Sequence, residues 1–171
     1  MSEAKEAILT FLQESGTDFG FIPHDEVHTI EDCIPNAARL GAVMPRNLFL
    51  TPRNESVFVL AIVPPLARFR TADISKQLGL SRLSFASPER VEQFLHTKPG
   101  AVSPLELIFD TGRQLRFAMD KALFREPVLA FHPGVPTATV SLKKEDFLRI
   151  VTGLGYTVEE IDTSVSEGAN A

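Results

Sequence analysis

The chain has 171 residues, 17 Lys and Arg against 22 Asp and Glu, 44% apolar residues, one cysteine and no tryptophan. This is the composition of an ordinary globular domain, long enough for one core to be stable without a disulfide or metal staple. The single Cys33 excludes an internal disulfide and a zinc-finger ligand set and favours a reducing compartment.

No basic segment followed by a long apolar stretch opens the chain, and the apolar run from Val57 to Ala67 is broken by Pro64 and Pro65, so no signal peptide or membrane span is expected and the expected location is cytoplasmic. The net charge of −5 is unevenly spread: residues 1–38 carry one Lys and eight acids, 39–125 thirteen bases and seven acids, and 126–171 three bases and seven acids. Only the middle is basic. That excludes a protein coating DNA or RNA through phosphates but leaves room for a local hold on one strand end.

In chain order, Ser2 precedes an apolar-periodic run through Leu12 that stops at Gly16, which predicts a capped first helix. Phe19 to Ile22 reads as a short strand stopped by Pro23. Thr29-Ile-Glu-Asp32 has the form of a capping box with Asp for Glu, so a second helix begins near Ile30, shortened or broken by Pro35. Asn47–Leu50 and Ser56–Val63 read as a hairpin through Thr51–Glu55. Thr71–Leu78 predicts a helix closed by Gly79, Leu83–Ala86 a strand, and Ser87-Pro88 the start of a helix ending near His96. After the Pro99–Pro104 loop, strands are expected at Leu105–Phe109, Gln114–Ala118, Val128–Phe131 and Thr137–Ser141. A helix follows over Lys143–Val151, then a strand over Tyr156–Ile161 and a frayed tail from Thr163. Short strands with inserted helices imply an α+β fold on a curved, mixed, partly barrel-like sheet surrounded by helices, with one domain over 1–162 and a flexible C-terminal tail over 163–171.

Several familiar arrangements are absent or fail. No dinucleotide or P-loop glycine motif occurs. His24 and His28 stand at i and i+4, yet Asp25 takes the place of the catalytic Glu of zinc proteases and Pro23 and Thr29 bracket the segment outside a helix, so polar turn histidines are expected. Cys33 falls on the apolar side of a short helix and reads as buried rather than nucleophilic. Ser103 has no sequence-local base. His132 closes an apolar strand beside a loop, a place where sites are built and where satisfied structural histidines also sit. Arg46 and Asn47 open a strand.

Taken in order, five segments resemble the YbaK-like aminoacyl-tRNA deacylases, the family of prolyl-tRNA synthetase editing domains and their free-standing relatives. They are His24-x-x-x-x-Thr29, Arg46-Asn-Leu-Phe-Leu50 for the family's K-N-L-F-L, Leu83-Ser-Phe-Ala-Ser87, Pro99-Gly-Ala-Val-Ser-Pro104 for P-G-S-V-S-P, and Phe131-His-Pro133 with Thr137-Ala-Thr139 for F-H-P-x-x-N-T-A-T. The likeness runs in register from about Ile8 to Asp162.

The resemblance implies a trans-editing deacylase that removes alanine mischarged on the proline tRNA, with a G-x-x-x-P loop, Gly100 to Pro104, gripping the terminal adenosine of the CCA end. The partners it implies are the tRNA acceptor end and, transiently, prolyl-tRNA synthetase; it implies no metal, no cofactor, no membrane and no DNA. An activated ester needs only a positioned water and donors aimed at the oxyanion, for which Gly100, Ala101, Val102 and Ser103 of the loop are candidates. Arg46 is expected as an electrostatic group and His132 as the residue orienting the water or the ammonium. Asn47, Thr29, Ile30, Pro104 and Thr137 complete the expected pocket. Two departures, Pro136 for Asn and Leu105–Asp110 for F-G-L-x-N-D, are expected to flank that pocket, which leaves serine, threonine, cysteine or a small nonprotein amino acid open as the substrate. A module that binds charged tRNA or a synthetase without hydrolysis is the alternative.

Overall fold

Residues 2–169 are described in a computed structural model of the protein. The Ser2 side chain accepts the Lys5 N–H and starts α1 (Glu3–Glu14), whose apolar stripe buries Ile8 and Leu12. β1 (Gly20–Pro23) follows. The expected capping box forms at the start of α2 (Ile30–Arg39): Thr29 accepts the Asp32 N–H, and the Asp32 carboxylate accepts the Thr29 N–H. Pro35 lies inside α2 and does not end it; its ring removes one backbone donor and the helix runs on to Arg39.

β2 (Arg46–Pro52) and β3 (Phe58–Val63) form the expected antiparallel hairpin, with Asn47 opposite Ile62. Every β3 residue is buried because both faces of the strand are covered. Phe58, Leu60 and Ile62 join the main core with Phe117, Phe131 and Phe147, whereas Val59, Ala61 and Val63 join a second cluster with Ile74 and Leu78 from and beside α3 (Thr71–Gln77). Next come β4 (Leu83–Phe85) and α4 (Pro88–Leu95), capped by the Ser87 side chain. The remaining strands and α-helices are β5 (Leu115–Asp120), β6 (Val128–Phe131), β7 (Ala138–Lys143), α5 (Lys144–Gly153), β8 (Val158–Ile161) and α6 (Ser164–Ala169).

The fold is α+β, as expected, but its strands divide between two sheets and neither closes into a barrel. A five-stranded mixed sheet has the order β4-β2-β3-β5-β8, antiparallel through β3 and parallel from β3 to β8. A three-stranded antiparallel sheet has the order β1-β7-β6. Among the described residues an isolated bridge links Val43, just before β2, to β6: the Val43 N–H donates to Val128 O and the Ala130 N–H donates to Val43 O. That bridge brings the start of β2 beside the end of β6, and hence Arg46 and Asn47 near His132.

Two segments depart from expectation. Leu105–Phe109 is not a strand: Pro104 opens a 3₁₀ helix, Pro104–Phe109, and the Ser103 hydroxyl accepts the Leu105 N–H at its start. In place of the frayed tail expected from Thr163, that residue is buried and donates from both its N–H and its hydroxyl to the Asp120 carboxylate. Ser166 is buried as well and donates to Asp73; Asn170 and Ala171 lie outside the described residues. Among those described, no helix is long and apolar enough to cross a membrane.

Candidate active site

A cavity of about 170 Å³ lies where three segments meet. The turn before α2 and its first residues supply Val27, His28, Thr29, Ile30 and Cys33; the start of β2 supplies Met44, Pro45, Arg46 and Asn47; the loop after α4 supplies Pro99, Gly100 and Val102. His132, just past β6, completes the lining. Each segment is placed by a local cause. The capping box fixes the turn into α2. The Val43 bridge fixes the approach to β2. Pro99 and Pro104 set the two short 3₁₀ turns that frame the loop.

His132 is 4% exposed. Its Nδ1 lies 2.9 Å from the Ala138 carbonyl, which can only accept, so Nδ1 carries the proton and Nε2 presents a lone pair. Burial lowers its pKa below the ordinary histidine value, the neighbouring His24 acts in the same direction, and the Ala138 bond opposes both. His24 stands with its ring centroid 6.1 Å away and bonds to Thr139 Oγ1 at 2.8 Å. At neutral pH His132 is an uncharged acceptor on the pocket wall.

Cys33 Sγ is 3.5 Å from His132 Nε2 and 3.3 Å from the Thr29 carbonyl. Its thiol is pushed up to about 11, first by burial and then by the charges of Asp32 and Glu31. It is buried, as expected, and it is also part of the pocket, which the sequence reading missed. The helical spacing held the signal: with Thr29 and Ile30 on the pocket, the residue three to four positions on shares their face.

Asn47 donates from Nδ2 to the Pro45 carbonyl at 3.2 Å, and its Oδ1 is buried without a hydrogen-bond partner. The Arg46 side chain is exposed at the rim with its guanidinium 5.2 Å from the Phe69 ring centroid, a cation–π contact. A Cβ added at Gly100 would meet nothing within 4 Å, so the loop backbone borders open space there.

Thr29, Ile30, Arg46, Asn47, Gly100, Val102 and His132 are thus brought together, and four other expected residues are not among the lining. Ser103 is fully buried and caps the 3₁₀ helix that Pro104 opens. Ala101 is buried, its N–H donates to the Lys98 carbonyl, and it borders a neighbouring cavity instead. Thr137 is exposed, and its carbonyl accepts the His24 N–H. Neither departure lines the small pocket: Pro136 borders the neighbouring cavity, and Leu105–Asp110 lies in and just after the 3₁₀ helix. The bracketed His24–His28 segment is non-helical. Among the described residues no group of three His, Cys, Asp or Glu is placed to hold a metal ion.

Comparison with known proteins places this chain in a family. The model of the aminoacyl-tRNA editing domain matches residues 24–150, a span that contains the whole lining. The prolyl-tRNA editing protein ProX of Acetoanaerobium sticklandii is 30% identical over 160 residues, covering 94% of this chain and 98% of that protein. The multifunctional Ser/Thr-tRNA deacylase ProXp-y of Escherichia coli is 27% identical over 155 residues, covering 87% of this chain and 89% of that one. Among solved structures, one described as a candidate trans-editing enzyme for prolyl tRNA synthetase superposes with a TM-score of 0.71 at 19% identity, over 95% of this chain and 97% of that one, and so shares the fold. With the family model spanning most of the chain and the motifs in register, the chain belongs to the aminoacyl-tRNA editing domain family.

Proposed function

We propose that this protein is a trans-acting aminoacyl-tRNA deacylase that hydrolyses the ester of a small amino acid mischarged on tRNA, with alanine on the proline tRNA as the leading substrate. The observation that carries the reading is the convergence of Thr29, Ile30, Arg46, Asn47, Gly100, Val102 and His132, drawn from distant parts of the chain, on one small pocket. Its volume of about 170 Å³ matches about five or six water molecules at the liquid share of each. An alanyl or seryl group fits that space, and in this reading the shape of the lining, rather than its volume alone, discriminates against the cognate prolyl group as editing needs.

In this reading the attacking water is held at His132 Nε2, which accepts one of its protons. Backbone N–H groups of Gly100 and Val102 face the developing oxyanion, and the Arg46 cation stabilises the same charge. The water oxygen bonds to the carbonyl carbon, the bond from that carbon to the ribose oxygen breaks, and one water proton ends on the ribose hydroxyl. No covalent enzyme intermediate is needed. Transient association with prolyl-tRNA synthetase would deliver the product of its errors.

A second substrate reading, serine or threonine, draws on the polar pair Cys33 and His132 in the lining and on the name of the Escherichia coli relative. Hydrolysis of alanine-charged proline tRNA, beside serine- and threonine-charged tRNA and correctly charged prolyl-tRNA, tests both. Rapid loss of alanine alone supports the first reading and loss of serine or threonine the second; no loss from any of them overturns the deacylase reading.

A further inference from the structure

The segment between β3 and α3 is held at both ends and displays its middle to solvent. At its start, residues 64–67 form a turn closed by the Ala67 N–H donating to the Pro64 carbonyl, with Pro65 at the position where its fixed φ favours a turn. At its end the Arg70 N–H donates to the Ser166 hydroxyl, and the Arg70 guanidinium is paired with Asp73. Between the two anchors Leu66 and Arg68 are exposed and Phe69 is half-buried. Residues 65–69 line a cavity of about 460 Å³ together with Ile30, Glu31 and Arg46, and Ile30 and Arg46 also line the small pocket. Among the described residues Arg70, Arg90, Arg116 and Arg149 are each paired with a carboxylate, and Arg68 is not.

We propose that this cavity is the track for the backbone phosphates of the single-stranded RNA end whose aminoacyl group enters the small pocket, with Arg68 as the cation that holds them. The inference rests on the deacylase reading and adds a backbone-binding surface to it. Two cavities share lining residues with the small pocket, and their charges differ. The cavity at Arg68 carries Arg46 and Arg68 against Glu31, whereas the one of about 530 Å³, which shares Val27, His28 and Gly100, carries Glu26 and Glu92 against Lys98. Phosphate is drawn to the first and repelled from the second. Arg46 belongs to the small pocket and its guanidinium is engaged by Phe69, which leaves the planar fork of Arg68 for an anion. The turn and the Arg70 anchor fix the segment in advance, so little ordering is required when Arg68 closes on a phosphate. A chain of net charge −5 thereby presents a local positive track without a basic surface overall.

The test is a fluorescence-anisotropy titration with two uncharged RNA hairpins of the same stem, one ending in a single-stranded CCA and one blunt. The full chain is expected to bind the CCA hairpin more tightly, with an affinity that falls as salt rises from about 50 to 200 mM. Arg68→Ala is expected to bind that hairpin about tenfold more weakly at low salt. Its plot of log affinity against log salt should be shallower by about 0.7, the worth of one phosphate on a single strand, whereas Arg68→Lys keeps the slope. Lys98→Ala, in the other cavity, should change neither. Arg68 is exposed and takes part in no ion pair, so an unaltered Tm is expected for Arg68→Ala and separates lost binding from misfolding. Equal loss on both hairpins, or loss in Lys98→Ala with none in Arg68→Ala, overturns the track. If RNA binding follows Arg68 while no charged tRNA is hydrolysed, the track stands and the deacylase reading falls. If Arg68→Ala deacylates with an unaltered KM, the track falls and the deacylase reading stands.

Discussion

Cys33 Sγ and His132 Nε2 meet at 3.5 Å on the wall of the small pocket, and neither is charged at neutral pH. Burial acts on the two in opposite directions, raising the thiol to about 11 and lowering the imidazole below its ordinary value. A thiolate–imidazolium nucleophile pair therefore does not form. Cys33→Ala is expected to keep deacylation within about threefold of the parent in single-turnover assays. Alkylation of Cys33 by iodoacetamide should be slow at pH 7.5 and accelerate toward pH 11; loss of hydrolysis in Cys33→Ala by two orders of magnitude would make Cys33 a nucleophile after all.

The Nε2 lone pair of His132, faced by Cys33 Sγ at 3.5 Å, is available to a water's proton wherever the ring is neutral. With its pKa lowered, half-protonation falls below the ordinary value of 6.5, so deacylation should be level around neutral pH and fall on the acid side. Stability has the same sign. The unfolded chain binds this proton at a higher pH than the folded one, so the contribution of His132 is complete above the unfolded pKa and is lost as the pH falls through the folded one. His132→Ala is expected to lower kcat about 10- to 100-fold and to remove that acid limb, measured as a pH–rate profile.

How much of this was legible in the sequence depended on how local the cause was. The capping box at Thr29 and Asp32, the Arg46–Val63 hairpin and the Ser87-Pro88 helix start all lie in short segments whose own residues decide their form. Leu105–Phe109 was misread because an apolar run has no period to tell strand from helix; Pro104 and the Ser103 cap decide it, together with burial from Pro104 to Leu107. The division into two sheets and the docking of Thr163 on Asp120 depend on partners about 40 or more residues away, which no local pattern records. The pocket was legible through its motifs, whereas Ser103 and Thr137 belong to the same motifs and serve them structurally, one as a cap and the other through its carbonyl.

Glu106 lies in the 3₁₀ helix behind the Gly100–Pro104 loop, fully buried, with neither carboxyl oxygen hydrogen-bonded. Burial pushes its carboxyl well above the usual carboxylate range, against the opposing influence of the Ser103 backbone and hydroxyl. The folded protein therefore keeps this proton while the unfolded chain releases it, so the stability linked to Glu106 is complete below the unfolded pKa and is lost as the pH rises through the folded one. Glu106→Gln should raise Tm at pH 8 by about 2–4 °C per kcal/mol recovered and flatten its decline between pH 5 and 9. A Tm that falls at every pH would show that the carboxyl has a partner.

Gly100 tests the loop without testing the fold. Its φ lies outside the left-handed region and an added Cβ meets no atom within 4 Å, so Gly100→Ala should fold normally and gain a few tenths of a kcal/mol to about 1 kcal/mol in stability. Because the resemblance implies that the Gly100–Pro104 loop holds the terminal adenosine, KM for a charged tRNA should rise about tenfold or more. An unchanged KM would place the nucleoside away from this loop.

Arg46 lines the small pocket and also an adjoining cavity of about 460 Å³ that contains Phe69. The Phe69 ring holds the guanidinium at the rim by stacking, an arrangement that a lysine ammonium reproduces as a cation but not as a plane. If the group acts through its charge, Arg46→Lys should retain deacylation within a few-fold and Arg46→Ala should lose about 10- to 100-fold in kcat/KM, the usual worth of a charged partner. Phe69→Leu separates the two contributions: it removes the stack, leaves the charge, and should cost less than Arg46→Ala. Full activity in Arg46→Ala would remove Arg46 from the site; loss in Arg46→Lys equal to that in Arg46→Ala would make the planar guanidinium, rather than its charge, the requirement.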